Sequence, residues 1–294
     1  MDIVPFDKRD GYIWKNGEII PWQDAKTHIL NHGLHYASCV FEGERVYDKK
    51  IFKITQHSTR LHKSAEILGF KIPYSIKELD EAKKEIVAKQ NIVDGYVRAF
   101  AWRGSEKMAI SAQNNTIHAA IACWPWPPYY SDEARKKGLN LKFARYRRPD
   151  PATAPTSAKA AGLYMICTIS KHEAEAAGYN DALMLDYRGY LSEATGANLF
   201  LVMNNGELHT PTPDCFLNGI TRQTIISLAK QSGIRVVERH ILPEELSDAK
   251  DAFLTGSAAE ITRIGSIDGK YHYPQISHMT LDLMTKYKKL VYRK

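Results

Sequence analysis

The chain has 294 residues, about twice the length of a typical domain, so two domains or one large domain are expected. Its residues are 44% hydrophobic, 25% charged and 10% aromatic, which excludes a disordered tail, a collagen-like fibre and a small disulfide-stapled scaffold. Lys and Arg exceed Asp and Glu by 40 to 33, and the net charge of +7 permits either a nucleic acid or a small anionic molecule as partner.

The sequence carries no pattern typical of export or of a membrane span. No apolar run approaches the roughly 18 residues that a membrane-spanning helix needs, and the first residues mix charges where a signal peptide would have an apolar core. The four cysteines, Cys39, Cys123, Cys167 and Cys215, are far apart and form no CxxC pair. Reduced, buried thiols are therefore expected. Together these patterns predict a cytoplasmic protein that binds no membrane.

The first third of the chain predicts mixed strands and helices. Asn16-Gly17 between two apolar runs is the strongest short hairpin signal. Ser75 is a typical N-cap, and the residues after it place an apolar stripe on one helix face. These patterns predict a hairpin over 12–20, a strand over 50–54, helices over 57–68 and 75–91, and strands over 96–102 and 117–124.

A proline-rich aromatic segment over 124–130 separates this region from the rest of the chain. Its three prolines exclude a helix or a central strand. The segment therefore predicts a domain boundary, with a small domain over 1–123, an interdomain loop over 124–137 and a large domain over 138–294.

The second half also alternates between the two periodicities. Asn205-Gly206 predicts another hairpin, and glycines stand at both ends of one helical pattern. The predicted elements are helices over 162–177, 219–233 and 243–246, and strands over 181–186, 198–202, 235–241 and 251–256.

Two clusters permit a function but favour a structural interpretation. His28, His32 and His35 lie close together, but Gly33 interrupts the helix and no acid completes an HExxH pattern, so hydrogen-bonded histidines are favoured over a metal site. The basic residues 135–137, with Arg145, Arg147 and Arg148, could bind nucleic acid. With Tyr146 as the only aromatic between the arginines, a solvated face is favoured.

Two segments could hold an anion. Gly219-Ile220-Thr221 opens a predicted helix, whose first backbone N–H groups and positive dipole end attract negative charge. Residues 255–258 form a second turn of small residues, at the exit of a strand. Because the chain has neither GxxxxGK[ST] nor GxGxxG, these turns favour a small phosphorylated ligand over a nucleoside triphosphate or a dinucleotide.

Lys159 and Glu193 stand in unusual settings. Lys159 lies among small neutral residues, and Asp150 is the only acid within ten positions. Desolvation there would lower the pKa of the amine and make it a nucleophile, although a structural lysine is the open alternative. Glu193 is expected at a turn before an apolar strand, where it could face a ring nitrogen or cap the turn.

Seven segments together resemble the fold type IV enzymes that use pyridoxal phosphate (PLP), and among them the branched-chain amino-acid aminotransferases. They occur in that family's order and spacing from about residue 11 to residue 265. They are HYASCVFEGERVY (35–47), HSTRL (57–61), GYVRAF (95–100), SAKAAGLY (157–164), YLSEATGANLF (190–200), FLNGITRQT (216–224) and LTGSAAEIT (254–262).

The resemblance implies both fold and activity. It implies an α+β fold with a small N-terminal α/β sandwich domain and a larger C-terminal pseudo-barrel domain with surrounding helices. The implied reaction is PLP-dependent transamination between L-leucine, L-isoleucine or L-valine and 2-oxoglutarate. Relatives that act on D-amino acids or (R)-amines, or that eliminate pyruvate from aminodeoxychorismate, are the alternatives, and a basic nucleic-acid-binding protein is the rival from another class. A homodimer or higher homo-oligomer is implied.

The resemblance also assigns roles to residues. It makes Lys159 the catalytic, Schiff-base lysine, places Glu193 at the pyridine nitrogen and Tyr164 at O3′ of the cofactor. The implied cofactor-binding residues are Arg60, Lys159, Tyr164, Glu193, Gly196, Leu217, Gly219, Ile220, Thr221, Gly256 and Ser257. The implied substrate-binding residues are Tyr36, Phe41, Arg45, Tyr96, Arg98, Trp126, Tyr129, Ser257 and Ala258, and no metal is implied.

Within the implied pocket, Arg98 receives the distal carboxylate of glutamate, and the aromatic side chains receive a branched aliphatic chain. Two positions depart from the family pattern: Ala99 replaces a common proline, and Glu44 replaces a common neutral residue. Glu44 is expected to place a negative charge near the mouth of the pocket.

Overall fold

Backbone contacts divide the chain into two units. The structure is a computed structural model that describes residues 4–127, 129–130, 133 and 137–292. The first unit comprises Met1–Pro127 with Ala158–Gly162, and the second comprises Pro128–Ser157 with Leu163–Lys294. The domain limits given above stay a prediction.

A mixed-length antiparallel sheet forms the first unit. The predicted hairpin at Asn16-Gly17 is confirmed, with φ of 52° and 95° at the two residues. The predicted strand over 50–54 is shorter than expected, because the chain turns after Ile51 and enters a helix at Ile54. In the described residues the sheet order is β2-β1-β7-β6-β4-β5, and β3 also pairs with β6. The strands are β1 (Tyr12–Lys15), β2 (Glu18–Pro21), β3 (Cys39–Phe41), β4 (Glu44–Tyr47), β5 (Lys50–Ile51), β6 (Gly95–Arg103) and β7 (Ile117–Pro125).

The first unit has helices α1 (His32–Tyr36), α2 (Ile54–Ile67) and α3 (Ile76–Lys89). The predicted cap of α3 is confirmed: Ser75 Oγ accepts the Glu78 N–H at 3.2 Å, and Glu78 Oε2 accepts the Ser75 N–H at 2.7 Å. Helix α2 begins three residues earlier than predicted, because its first turn is largely exposed and adds no apolar periodicity.

Apolar side chains of α2, α3 and the sheet form the core of this unit. The predicted stripe of α3 is confirmed at Leu79, Ala82, Ile86 and Val87, all buried. Burying a side chain such as Leu79 contributes about 1.5–3 kcal/mol. The stripe also contains Lys83, whose burial the periodicity did not predict.

The second unit contains a closed barrel. Among the described residues its strands pair in the ring β10-β9-β8-β15-β14-β11, and β10 pairs with β11 to close it. Closure leaves these strands without free edges. The strands are β8 (Leu139–Phe143), β9 (Asp181–Leu185), β10 (Leu191–Ala194), β11 (Asn198–Met203), β12 (Leu208–Pro211), β13 (Val236–Arg239), β14 (Ala249–Gly256), β15 (Glu260–Ile267) and β16 (Tyr271–His272).

Helices α4 (Met165–Ala176), α5 (Ile220–Gln231) and α6 (His278–Tyr292) also belong to the second unit. Two 3-10 helices, Ala161–Tyr164 and Pro243–Asp248, stand where short helical segments were predicted. The predicted α+β class with a barrel is confirmed. In the ranges that the structure describes, no helix combines the length and hydropathy needed to cross a bilayer.

Candidate active site

Lys159 is held by its backbone on both sides. Its N–H donates to Ser64 Oγ of α2 at 3.0 Å, and its carbonyl accepts the Phe41 N–H at 3.1 Å. The next residue, Ala160, forms a β-bridge with Val40. The segment is therefore fixed between α2 and β3, although its sequence has no strand pattern.

The amine of Lys159 lies in a partly buried, aromatic and cationic environment. Its Nζ is 4.8 Å from the centroid of the Phe41 ring. Desolvation lowers the pKa of the amine to about 8, with a further lowering from Arg60 and Arg98, while Glu42 opposes the shift. The lowered pKa that the small neutral neighbours predicted is therefore present, and near neutral pH a useful fraction of the amine is a free base.

Aromatic rings and Arg98 surround this amine. Tyr96 stacks on Trp126 with ring centroids 4.6 Å apart. The guanidinium of Arg98 lies 4.7 Å from the Phe41 centroid and 5.6 Å from that of Tyr96. We call Phe41, Glu42, Arg60, Tyr96, Arg98, Trp126 and Lys159 the Lys159 cluster.

Glu42 belongs to the Lys159 cluster, although sequence reasoning missed it. Its carboxylate is completely buried and accepts hydrogen bonds from Arg60 Nε at 2.7 Å and Nη2 at 2.8 Å. His57 Nδ1 lies 2.6 Å from the same carboxylate. The available signal was an acid between an apolar strand and Gly43, a position where an unpaired charge would be costly.

Two predicted substrate residues of the first unit have other neighbours. The Tyr36 ring lies 4.7 Å from that of His32 and is about half exposed. The Arg45 guanidinium lies 4.9 Å from the Tyr47 centroid and is buried. Their substrate roles stay a prediction.

The expectation for Glu44 is wrong. Its carboxylate is completely buried in β4 and pairs with Lys83 Nζ at 2.6 Å, so it places no charge at a pocket mouth. Lys83 is completely buried as well and donates to Ser58 Oγ at 2.7 Å. The pair lies in the core, where α3 supplies a counter-charge that the sequence near Glu44 does not reveal.

Glu193 of the second unit lies within strand β10 and not at a turn, which corrects the expectation. The strand extends to Ala194, because Glu193 pairs with Asn198 across the β10–β11 hairpin. Asn198 Nδ2 donates to Glu193 Oε2 at 3.0 Å, and Arg148 Nε lies 3.5 Å from Oε1. The carboxylate thus faces a cation and an amide donor.

Arg148 is buried, which corrects the prediction that this basic stretch is a solvated face. Burial lowers the pKa of its guanidinium, but Glu193, Cys167 and Tyr164 raise it more strongly. Arg148 Nη1 also donates to Cys167 Sγ of α4 at 3.2 Å. Tyr164 ends the 3-10 helix just before α4 and is half-buried. We call Arg148, Tyr164, Cys167, Glu193 and Asn198 the Glu193 cluster.

The start of α5 presents unsatisfied backbone donors. Gly219 is the N-cap and supplies no side-chain acceptor, while Ile220 and Thr221 are buried. The first N–H groups of a helix carry partial positive charge, so an anion would be stabilised at this end. Leu217, one turn earlier, accepts a hydrogen bond from Asn198 Nδ2 at 3.1 Å.

The turn after β14 meets the same part of the second unit. It follows Gly256 and contains Ser257 and Ala258, as predicted. A Cβ at Gly256 would lie 3.2 Å from the Gly196 carbonyl oxygen, which is tighter than most packed contacts. Glycine is therefore needed there for close approach of two backbone segments.

Comparison with known proteins identifies the family. Residues 39–267 match the family described as Amino-transferase class IV. The chain belongs to this family.

Three relatives are informative for this class IV aminotransferase. It is 42% identical over 268 residues to a probable branched-chain-amino-acid aminotransferase of Rickettsia conorii, and the match covers 91% of each chain. The crystal structure of the Escherichia coli branched-chain amino acid aminotransferase matches with a TM-score of 0.92 and 38% identity, over 96% of this chain and 95% of that chain. A thermophile-type neighbour, the "T.th." branched-chain amino acid aminotransferase complexed with N-(5'-phosphopyridoxyl)-L-glutamate, matches with a TM-score of 0.90 and 34% identity, over 97% and 95%.

Other predicted features of the aminotransferase contact its own chain. The ring nitrogens of His32 and His35 lie 3.0 Å from the carbonyl oxygens of Ala109 and Ile29, and His28 Nδ1 accepts the Leu30 N–H. These contacts agree with the structural interpretation. That no metal is bound stays a prediction.

Much of the basic stretch of the aminotransferase is also engaged. Arg145 is exposed and pairs with Glu173 at 3.1 Å, and Arg147 donates to the Tyr187 carbonyl at 3.2 Å. Arg135 and Lys136 lie outside the described residues. Tyr129, a predicted substrate residue, is half exposed and packs edge-on against Tyr130 at 4.8 Å.

Proposed function

We propose that this aminotransferase moves the amino group of L-leucine, L-isoleucine or L-valine to 2-oxoglutarate, giving a branched-chain 2-oxo acid and L-glutamate. The named relatives act on branched-chain amino acids by their names, and one solved neighbour holds a phosphopyridoxyl-glutamate compound. The observation that carries the proposal is Lys159, a partly buried amine whose pKa is lowered to about 8.

The residues present fit PLP as the cofactor. The Lys159 cluster supplies an amine that is partly a free base near neutral pH. The Glu193 cluster supplies a buried carboxylate, and the start of α5 supplies donors for a phosphate. When bound, PLP supplies an electron-withdrawing ring that stabilises negative charge developing on the substrate.

Each cofactor residue then has a definite task. Lys159 holds the cofactor through its amine and moves a proton between Cα of the amino acid and C4′ of the cofactor. Glu193 keeps the ring nitrogen protonated with its negative charge, and Tyr164 hydrogen-bonds O3′. The phosphate dianion is bound by the Arg60 guanidinium and by backbone and hydroxyl donors around Gly196, Leu217, Gly219, Ile220, Thr221, Gly256 and Ser257.

The substrate residues explain how two unlike side chains are accepted. A branched aliphatic chain gains free energy by leaving water for the rings of Phe41, Tyr96 and Trp126. Arg98 lies over two of these rings and would pair with the distal carboxylate of glutamate. We assign the remaining contacts with substrate to Tyr36, Arg45, Tyr129, Ser257 and Ala258.

The substrate class is tested on the purified protein saturated with PLP. L-leucine, D-alanine and a primary (R)-amine are added separately, and the visible absorption of the bound cofactor is followed. L-leucine is expected to abolish the visible band, and 2-oxoglutarate is expected to restore it. Bleaching by D-alanine alone would overturn the proposal.

A homodimer or higher homo-oligomer is part of the same proposal. Ile29, Leu34 and Ile110 are 75%, 71% and 88% exposed, which is unusual for large aliphatic side chains. His32 joins the two segments through its contact with Ala109. Ile110→Lys should lower the mass measured by light scattering; an unchanged mass would remove this patch from the interface. We also propose a cytoplasmic location, because the cysteines form no disulfide among the described residues.

A further inference from the structure

Helix α2 presents one face to the segments that carry Lys159 and Glu42. His57, Arg60 and Ser64 are spaced by three and four residues and so lie on one face of the helix. Ser64 accepts the N–H of Lys159, while His57 and Arg60 contact the carboxylate of Glu42. One helix face therefore sets the position of both groups.

Glu42 is the acid within the Lys159 cluster. Arg60 and Arg98 lower the pKa of the Lys159 amine, whereas Glu42 and Tyr96 raise it. Burial would protonate Glu42, but Arg60 and His57 hold the pKa of its carboxyl well below its usual range. The anion thus balances a region that otherwise contains two guanidinium groups and an amine.

We propose that Glu42 is a positioning residue that fixes the guanidinium of Arg60 for the cofactor phosphate and balances the charge next to Lys159. The inference rests on the proposed function. Two hydrogen bonds from Nε and Nη2 define the plane of the Arg60 guanidinium before a phosphate arrives. Such preorganisation strengthens binding because less side-chain freedom is lost on association.

The test compares the binding of PLP with that of pyridoxal, which lacks the phosphate. Both ligands use the same amine, so the contribution of Lys159 cancels in the ratio of their dissociation constants. The full-length protein freed of cofactor is titrated with each ligand, and the visible absorption is measured. Glu42→Gln should reduce the preference for PLP by about tenfold or more, the effect of losing a charge-assisted hydrogen bond.

Glu44→Gln is the matched control. Glu44 is equally buried two residues away, but it pairs with Lys83. Its substitution should leave the preference for PLP within about twofold of wild type, because it does not contact Arg60. Equal loss of preference in both variants would show a general structural effect and overturn the proposal.

A second readout follows the amine itself. The rate of Lys159 modification by an amine-directed reagent is measured against pH in the cofactor-free protein. In wild type the midpoint should lie near 8, and in Glu42→Gln it should fall, because the charge that raises the pKa is gone. Arg60, Arg98, Tyr96 and His57 stay in place in that variant. An unchanged or higher midpoint would contradict the role of Glu42.

Other outcomes also decide. If Glu42→Gln does not fold, Glu42→Asp keeps the charge but shortens its reach, and it should lose preference for PLP in the same direction by a smaller factor. An unchanged ratio in Glu42→Asp would then overturn the inference. A wild-type protein that binds neither ligand would refute the proposed function, whereas normal binding of PLP with an unchanged ratio in Glu42→Gln refutes this inference alone.

Discussion

Two buried acids, two positions apart, behave in opposite ways. Glu42 faces Arg60 and His57 of α2, which hold the pKa of its carboxyl below the usual range in spite of burial. For Glu44, burial raises the pKa of the carboxyl, and Lys83 of α3 only partly offsets the shift. The difference shows that the number of cationic donors decides whether a buried acid stays charged. One acid supports the Lys159 cluster, and the other belongs to the core.

The most severe break in the Lys159 cluster is Lys159→Ala. It removes the proposed nucleophile and proton carrier, so transamination of L-leucine should fall by about a thousandfold or more. Steady-state rates with 2-oxoglutarate measure the effect, and circular dichroism checks the fold. Lys84→Ala, at an exposed lysine paired with Glu81, is the control. A wild-type rate in Lys159→Ala would refute the mechanism.

The core pair should respond in stability. Lys83→Met removes the cation facing Glu44 and should lower the free energy of unfolding by about 3–5 kcal/mol. Adding Glu44→Leu should recover most of this loss, because apolar packing replaces a desolvated pair. Urea unfolding measures both values. If the double variant is no more stable than Lys83→Met, the pair is not an isolated one.

Glu193 extends the comparison to a buried acid of the second unit. Glu193→Gln removes the negative charge proposed at the cofactor ring nitrogen, so the rate should fall by about a hundredfold. Rates with L-leucine and a PLP titration separate chemistry from binding. Glu173→Gln, an acid paired with exposed Arg145, should keep the wild-type rate. Equal rates in the two variants would remove Glu193 from the mechanism.

The smallest effect concerns acid pH. The folded-state pKa of Glu42 is depressed, so its stabilisation is complete above the ordinary value of 4.5 and is lost as the pH falls below it. The folded-state pKa of Glu44 is raised, so its contribution changes in the opposite direction. Between pH 7 and 3, the stability gap between wild type and Glu42→Gln should therefore shrink, and that for Glu44→Gln should not. Parallel curves would contradict the assignment.

Local signals in the sequence gave correct predictions where neighbours along the chain decide the structure. The capping box at Ser75 and the Asn16-Gly17 hairpin depend on a few adjacent residues. The lowered pKa of Lys159 was predictable from its small neutral neighbours, although the groups that set it are distant in sequence.

Long-range contacts explain what sequence patterns missed. The strand position of Glu193 depends on pairing with Asn198, and the burial of Glu44 depends on Lys83, 39 positions further along the chain. Neither apolar periodicity nor turn chemistry reports such contacts. The resemblance to known enzymes located the proposed cofactor residues, but it did not identify Glu42, His57 or Ser64.

The central claim is that Lys159 holds the cofactor. Borohydride reduction of the PLP-saturated protein fixes the cofactor carbon to whichever amine holds it, and peptide mass spectrometry then locates the modified residue. The account predicts a phosphopyridoxyl group on the peptide that contains Lys159, and none on that peptide in Lys159→Ala. A modified lysine elsewhere, with an unmodified Lys159, would contradict it.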